Sequence, residues 1–319
     1  MQNRHLGIPP SPAASFAGGP ESARIEARMI RIGTSGWKYK DWEGIVYPKP
    51  RPRGFDELAY LAAYFDSIEI NSSFYGPPRP SAAKKWVESV AGNRLFRFTA
   101  KLFHSFTHER KPAPDDERDF KNGIAPMVES GRFGALLLQF PWSFRNSREN
   151  REYLSRLGNR FWEYPLVLEV RHASWTLPET FELMAELDLG VCNIDQPLFE
   201  KSVRPGTEAT SAIGYIRLHG RNYKTWFAEG ANVRERYDYL YAVQELEPWI
   251  DRVREVARKT KETFVMSNNH NLGKAAVNAL QLSSILKGAP IPAPPPLLAH
   301  YPQLRGFATS EGSNVENAG

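Results

Sequence analysis

The chain is predicted to fold as a single (β/α)8 barrel, the TIM-barrel class, because short strand-like and helix-like segments alternate along it. Each strand-like segment is apolar and ends in polar or charged residues. Alternation of this kind is typical of a parallel sheet, and eight units in about 250 residues are typical of a closed barrel. The predicted strands lie in IRIGTSGW (30–37), SIEINSSFY (67–75), LFRFTAK (95–101), GALLLQFP (134–141), LVLEVRH (166–172), LGVCNID (189–195), IGYIRLHG (213–220) and TFVMSNNH (263–270).

The segments between the strands carry helix signals. Apolar residues recur at helical spacing in 55–65 and 181–187, and Pro80 and Ser81 begin a helix that Gly92 ends. Further helices are predicted at about 237–259, with a bend at Pro248, and at 274–287. Two connections, 103–120 and 195–212, are predicted as long loops, and loops that follow barrel strands often form ligand walls or lids.

The barrel is predicted to span residues 29–288, between two tails. Residues 1–28 are rich in Pro, Gly, Ala and Ser, which is typical of a disordered tail. The segment GAPIPAPPP and the polar residues after it predict an extended or disordered tail at 289–319.

Composition restricts the class of protein. The 319 residues carry 41 basic and 36 acidic side chains, and the net charge of +5 permits anionic ligands without indicating a nucleic-acid-coating surface. The single cysteine, Cys192, lies in an apolar run, which favours a small core residue and a reducing cytosol. No apolar run is long enough to cross a bilayer, and no secretory signal is recognised. We therefore expect a cytoplasmic protein without a membrane partner.

Alternation within the strands predicts which side chains enter the barrel. Neighbouring residues of a strand point to opposite faces, and the helix-facing side is expected to be the apolar one. This places in the cavity, at the carboxyl ends of the strands, Glu69, Asn71, Thr99, Lys101, Gln139, Glu169, Arg171, Asn193, Asp195, Arg217 and His219, together with either Asn268 or the pair Ser267 and Asn269.

Three carboxylates and three permanent cations are thus expected in one cavity. The carboxylates are Glu69, Glu169 and Asp195, and the cations are Lys101, Arg171 and Arg217. Buried charges need partners or ligands, and charges at barrel strand ends usually belong to functional sites. The alternative is a salt-bridge network that only stabilises the barrel.

The same segments resemble the YecE-like proteins, the family called domain of unknown function 72. The resemblance rests, in order, on GTSGW, EINSSFY, FTAK with a downstream TH, LLQFP, EVRHASW, RLHGR, and NNH followed by VNAL, and it covers roughly residues 30–285. It implies a TIM barrel and no established activity. The family motifs fall on Gly33, Thr34, Ser35, Gly36, Trp37, Glu69, Asn71, Phe74, Tyr75, Lys101, Thr107, His108, Gln139, Pro141, Glu169, Arg171, His172, Trp175, Arg217, His219, Gly220, Asn268, Asn269 and Asn278.

Several motifs have both a functional and a structural interpretation. Glycines around Thr34 and Ser35 allow a ligand to approach backbone N–H groups, or simply allow a tight turn. Aromatic residues just after strand ends, such as Trp37 and Tyr75, can stack on sugars or bases, or can pack loops together. Glu169, with the neighbouring arginine and histidine, offers a base, an anion clamp and a proton relay, or an ion pair that supports the wall.

Metal and glycosidase chemistry are both disfavoured by the pattern. Cations in the cavity would compete with a divalent ion for the carboxylates, so no metal and no other cofactor is predicted. Familiar barrel glycosidases place two carboxylates on strands four and seven, whereas those strands end here in Gln139 and His219.

Our leading hypothesis is a small polar or anionic ligand, such as a sugar phosphate or nucleotide fragment, bound at the carboxyl ends of the strands. Acid–base chemistry by Glu169 and His219, as in a metal-independent hydrolase, lyase or isomerase, is one extension of it. The predicted catalytic residues are Glu169, His219, Glu69 and Lys101. The predicted ligand-binding residues are Thr34, Ser35, Trp37, Asn71, Tyr75, His108, Gln139, Arg171, His172, Trp175, Asp195, Arg217, Asn268 and Asn269.

Two alternatives stay open. The first is a nucleic-acid-binding or endonuclease-like barrel that grips a strand with its aromatic rim and the loop residues Arg110, Lys111, Arg221 and Lys224. The second is a non-enzymatic scaffold. Phosphate-backbone binding weakens steeply with salt, which separates the first alternative from pocket binding.

Overall fold

The structure is a computed structural model that describes residues 29–226 and 233–310, with the side chains of 233 and 234 excepted. Eight parallel strands form a closed barrel in sequence order, and the eighth strand pairs with the first. The predicted (β/α)8 barrel is confirmed. The strands are β1 Met29–Ser35, β2 Ser67–Ile70, β3 Arg97–Lys101, β4 Phe133–Gln139, β5 Leu166–Glu169, β6 Leu189–Asp195, β7 Ile213–Leu218 and β8 Glu262–Ser267.

Helices follow the strands and cover the outside of the barrel. They are α1 Glu57–Ala62, α2 Pro80–Ser89, α3 Asp116–Glu129, α4 Arg148–Arg160, α5 Pro178–Glu186, α6 Val233–Arg236, α7 Val243–Lys259, α8 Lys274–Lys287 and α9 Pro295–His300. Between β6 and β7 the described chain forms no helix, as predicted.

The predicted loop 103–120 is only partly correct. Helix α3 begins inside it, at Asp116, with three acidic residues in its first turn. Acidic side chains near a helix N-terminus are favoured by the helix dipole. The same segment also contains a π-helical turn at Ser105–Glu109. The helix predicted from residue 237 begins at Val243 instead.

Apolar side chains form two separate layers. The larger layer lies between the strands and the helices. The smaller fills the barrel interior and consists of Ala135, Leu137, Val167, Cys192, Ile194, Tyr215, Phe264 and Met266. Inward residues beyond this layer, toward the carboxyl ends of the strands, are polar, which is where the alternation of strand side chains predicted a site.

The predicted boundary at residue 288 is not where ordered structure ends. Ile291–Pro292 and Ala308–Thr309 pair as two short strands, and α9 lies between them. The segment is held because Leu297 and Leu304 are buried in the outer core. A Pro-rich composition suggested a tail, but proline also begins helices well, as it does in α9. Residues 1–28 and 311–319 of the predicted tails lie outside the described residues.

Within the described ranges, no helix is both long enough and apolar enough to cross a membrane.

Candidate functional site

Arg217 lies at the centre of the barrel mouth and joins two carboxylates. It extends inward from β7, and its side chain is 1% exposed. Its Nη2 donates to Glu69 Oε1 at 2.7 Å, and its Nη1 donates to Glu169 Oε2 at 2.5 Å. The second oxygen of Glu69 accepts from the Tyr215 hydroxyl at 2.8 Å. The guanidinium therefore links β2, β5 and β7 through buried, charge-assisted bonds.

Glu169 is the most heavily hydrogen-bonded carboxylate of the site. In addition to Arg217, its Oε1 accepts from Arg171 Nη2 at 2.7 Å and lies 3.3 Å from His219 Nε2. Asn268 Nδ2 donates to His219 Nδ1 at 3.0 Å, which leaves the histidine proton on Nε2, directed at Glu169. Residues from β5, β7 and the end of β8 thus meet at one point.

These contacts fix the protonation of both groups. Burial alone would raise the pKa of Glu169, but Arg217 and Arg171 outweigh it and hold that pKa well below the usual range. Burial lowers the pKa of His219 to about 3, with Glu169 opposing the shift and Arg171 adding to it. At neutral pH, Glu169 is ionised and His219 is a neutral donor.

Lys101 differs from the other cations of the site. It ends β3, is only half-buried, and places Nζ 4.1 Å from the centre of the Phe74 ring. Burial and the nearby Arg217 lower its pKa to about 7, although Glu69 and Glu169 oppose the shift. Its amine therefore changes protonation near neutral pH. We call Glu69, Lys101, Glu169, Arg171 and Arg217 the charged cluster.

Four predicted residues surround the charged cluster at its open side. Asn71 and Gln139 are half-buried at the ends of β2 and β4, and Asn71 hydrogen-bonds the hydroxyl of Tyr39. His108 stands on the π-helical turn with its ring 4.8 Å from Phe74. Tyr75, which also contacts Phe74, is 72% exposed on the rim.

Ser35 lies on the same inward face, beside Glu69 in the register of β1 and β2. Its buried hydroxyl has no hydrogen-bond partner within the described part of the chain.

The prediction that Asp195 and Asn193 enter the cavity is wrong. Cys192 and Ile194 of β6 face the interior, and Asp195 is paired in register with the outward Leu218. Asp195 accepts from Arg221 and, at 3.1 Å, from Trp249 Nε1 of α7. These partners make a carboxylate tolerable on the helix-facing side, although burial still raises its pKa.

Two more of the predicted ligand-binding side chains face the helices rather than the cavity. Thr34 Oγ1 donates to the Gly36 carbonyl at 2.9 Å, which stabilises the turn after β1. Asn269 Nδ2 donates to Asn278 Oδ1 at 2.8 Å and to a loop carbonyl. Their motifs support the barrel wall, because alternation turns each of them away from its inward neighbour.

His172, Trp37 and Trp175 stabilise the turns and loops after the strands. His172 Nδ1 accepts from the Ser174 amide at 3.1 Å and so caps the short turn after β5. Trp175 is fully buried, and its Nε1 donates to the Phe144 carbonyl at 2.8 Å. Trp37 packs edge-on against Trp86. The interpretation of the two tryptophans as ligand-stacking rings at the mouth is therefore wrong, and the loop-packing interpretation holds.

Three further residues, which were not predicted from the sequence, complete the site. Gln196 Oε1 accepts from Arg171 Nη1 at 3.2 Å, and the Arg171 guanidinium lies 5.5 Å from the Trp226 ring centre. Tyr39 stacks on His270 at 4.4 Å. Gln196 directly follows β6, and Trp226 lies in the loop after β7. A position after the carboxyl end of a barrel strand is a weak indication of a site residue, and both residues have it.

The mouth is nearly closed. Glu69, Glu169 and His219 are fully buried, and Arg171 is 9% exposed. Lys101 is the most accessible member of the charged cluster, since the other four are buried. A shallow surface groove lies elsewhere, beside α7, and is lined by Thr207, Pro248, Asp251, Arg252, Arg254, Glu255 and Arg258.

The described residues contain no group of three or more His, Cys, Asp or Glu side chains arranged to hold a metal ion. Cys192 is buried below Glu169, with Sγ 3.9 Å from Oε2, and its pKa is raised well above the usual value by burial.

Comparisons with known proteins agree with this architecture. The model of the family described as "Protein of unknown function DUF72" matches residues 31–298. The UPF0759 protein YunF of Bacillus subtilis is 32% identical over 274 residues, which cover 81% of this chain and 95% of that protein.

Two crystal structures are also similar. A DUF72 family protein from Thermotoga maritima has 34% identity and a TM-score of 0.70, covering 81% of this chain and 99% of that one. A DUF72 family protein from Enterococcus faecalis has 28% identity and a TM-score of 0.71, covering 81% and 96%. The chain therefore belongs to the DUF72 family of TIM-barrel proteins of unknown function.

Proposed function

We propose that the barrel mouth binds a small anionic ligand, such as a sugar phosphate or a nucleotide fragment, beside Arg171 and Lys101. The supporting observation is the net charge of the cavity, from which Asp195 is absent because it faces the helices. In the charged cluster, Arg171 and Arg217 balance the two carboxylates Glu69 and Glu169. Lys101, with a pKa of about 7, adds positive charge in its protonated fraction. Because no net negative charge remains, the site favours an anion over a divalent cation.

Arg171 is the arginine best placed to donate hydrogen bonds to a bound anion. It is the more exposed of the two cluster arginines, at 9% against 1% for Arg217. Its guanidinium is oriented by Glu169, Gln196 and the Trp226 ring. A guanidinium held in this way presents its N–H groups with little loss of rotamer entropy on binding.

Acid–base chemistry by Glu169 and His219, which the sequence suggested, is not favoured by their pKa values. Glu169 is held ionised by its donors, and His219 has a pKa of about 3, so neither group exchanges a proton easily near neutral pH. Lys101, with a pKa of about 7, is the group of the site suited to that role.

The nucleic-acid alternative has weaker support. Arg221 is committed to Asp195 and Glu245, and Arg110 donates to Asn150 Oδ1 at 2.7 Å. Basic loop residues that are engaged inside the protein contribute less to a phosphate-binding surface.

Calorimetric titration with inorganic phosphate tests the proposal. We expect saturable binding to the wild type, a loss on the order of tenfold or more in Arg171→Ala because charge-assisted bonds are removed, and a smaller change in Glu169→Gln. Arg110→Ala, which removes a rim arginine, is the matched control and should bind as the wild type does. Absence of binding, or equal affinity in Arg171→Ala, contradicts the proposal. Tight oligonucleotide binding that weakens steeply with salt would support the nucleic-acid alternative instead.

A further inference from the structure

Lys101 is held in place by its backbone and not by an ion pair. It ends β3, and Ser73 Oγ donates to its carbonyl at 2.7 Å. The Phe74 ring lies against Nζ at 4.1 Å. Within the described residues Nζ has no hydrogen bond and no ion pair.

The carboxylates that could neutralise Lys101 are occupied by other donors. Both oxygens of Glu69 are taken, one by Arg217 and the other by Tyr215. Both oxygens of Glu169 are likewise in contact with donors from Arg171, Arg217 and His219. The amine is therefore not locked to a counter-ion and is free to meet a ligand.

The surroundings also favour the neutral amine. The charged groups that face Lys101 are Arg217, Glu69, Glu169 and Arg171, and together with burial they lower its pKa from 10.5 to about 7. At neutral pH the neutral fraction is then roughly a thousandfold larger than for an ordinary exposed lysine. A desolvated lysine beside another cation is the usual form of a nucleophilic amine.

We propose that Lys101 forms an imine with the aldehyde or ketone group of a small anionic carbonyl compound. The neutral amine attacks the carbonyl carbon, and the proton it loses passes to the carbonyl oxygen, which gives a carbinolamine. Loss of water, which carries away that oxygen, leaves the carbon–nitrogen double bond, and no oxidant or reductant is needed. Arg171 holds the anionic group. This inference rests on the proposed anion-binding function and names its substrate class.

Trapping with borohydride tests the inference. The full chain is incubated at pH 7 with glyoxylate, a small anionic aldehyde, and borohydride then reduces any imine to a stable secondary amine. Intact mass and peptide mapping should show one adduct on Lys101, with labelling on the order of tenfold or more above that of any exposed lysine. Lys101→Met should lose this adduct, and Lys111→Met, the matched control in the nearby loop, should keep it.

A neutral aldehyde, glycolaldehyde, separates imine formation by Lys101 from recognition of the anionic group by Arg171. Arg171→Ala should reduce labelling of Lys101 by glyoxylate more than labelling by glycolaldehyde, because only glyoxylate carries an anionic group that loses its partner. Peptide mapping of the wild type locates the adduct even if Lys101→Met fails to fold. Labelling spread evenly over exposed lysines overturns the inference. Phosphate binding without an adduct overturns the imine and leaves the anion site standing, whereas an adduct without phosphate binding overturns the anion site.

Discussion

Arg217 and Glu69 face each other across the barrel mouth, from β7 and β2, and are joined by a 2.7 Å bond between Nη2 and Oε1. Their side chains are 1% and 0% exposed. A charge pair so well shielded from water is stable only while each partner stays in place, because a single buried charge has no solvent to replace the lost partner. Glu169 takes the other terminal nitrogen of Arg217, so one guanidinium neutralises two carboxylates.

Replacement of Arg217 by methionine is expected to lower the free energy of unfolding by about 3–5 kcal/mol, since two buried carboxylates lose their shared cation. Urea unfolding followed by circular dichroism measures the effect. The matched control is Arg148→Gln, which breaks an exposed pair with Glu152 and should change stability by about 0.5 kcal/mol or less. A similar small change in both variants would contradict the assignment of Arg217 as the central structural cation.

The sequence predicted the barrel well because eight apolar strands were each followed by a recognisable helix or loop. Strand faces were predicted correctly where the polar residues point inward, as for Glu69 in β2 and Glu169 in β5. In β6 the inward residues Cys192 and Ile194 are apolar, and the polar residues share the helix-facing side. There Asp195 is stabilised by Arg221, which lies 26 residues further along the chain. Partners at such separations are not visible in strand periodicity.

The aromatic residues at the mouth show a similar limit. Trp175 and Trp226 both follow strands in sequence, yet the first is buried with its N–H bonded to Phe144 and the second lies over Arg171. The direction of a loop side chain depends on loop packing, which sequence spacing does not encode. The C-terminal segment is misjudged for a related reason, because composition does not reveal that Leu297 and Leu304 are buried against the barrel.

Asp195→Asn is expected to leave phosphate affinity within about twofold of the wild type, because the carboxylate faces the helices. Stability should fall by about 1–3 kcal/mol, since Arg221 loses a buried charged partner while Trp249 can still donate to the amide oxygen. Calorimetry and urea unfolding on the same preparation measure both quantities. A loss of affinity as large as that of Arg171→Ala would place Asp195 back in the site.

His219 should make stability depend on pH in the mildly acidic range. Its pKa is 6.5 in the reference state and about 3 in the folded protein. The unfolded chain therefore binds a proton below about pH 6.5 that the folded chain does not bind until about pH 3. Stability falls as pH falls through this window, by up to about 1.4 kcal/mol per pH unit from this group.

The variant His219→Gln isolates that contribution. We expect it to be less stable than the wild type at pH 7, because contacts with Glu169 and Asn268 are weakened, but to lose less stability between pH 6.5 and pH 4.5. Urea unfolding at several pH values gives the slope. Equal slopes in the two proteins would show that His219 does not stay neutral when buried.

Trp226 should contribute to anion binding without touching the anion. Its ring lies 5.5 Å from the guanidinium carbon of Arg171, and an arginine over an aromatic face is stabilised by about 0.5–2 kcal/mol. Trp226→Ala removes the ring and frees the guanidinium to adopt other rotamers, so phosphate affinity should fall by about 3- to 30-fold. Trp226→Phe keeps an aromatic face and should retain most of the affinity.

Trp162→Ala is the matched control, because this tryptophan is 78% exposed after α4, at the opposite end of the barrel. Calorimetry with phosphate ranks the variants, and the expected order is wild type and Trp162→Ala first, then Trp226→Phe, then Trp226→Ala. If Trp226→Ala binds phosphate as tightly as Trp162→Ala does, the ring has no part in positioning Arg171.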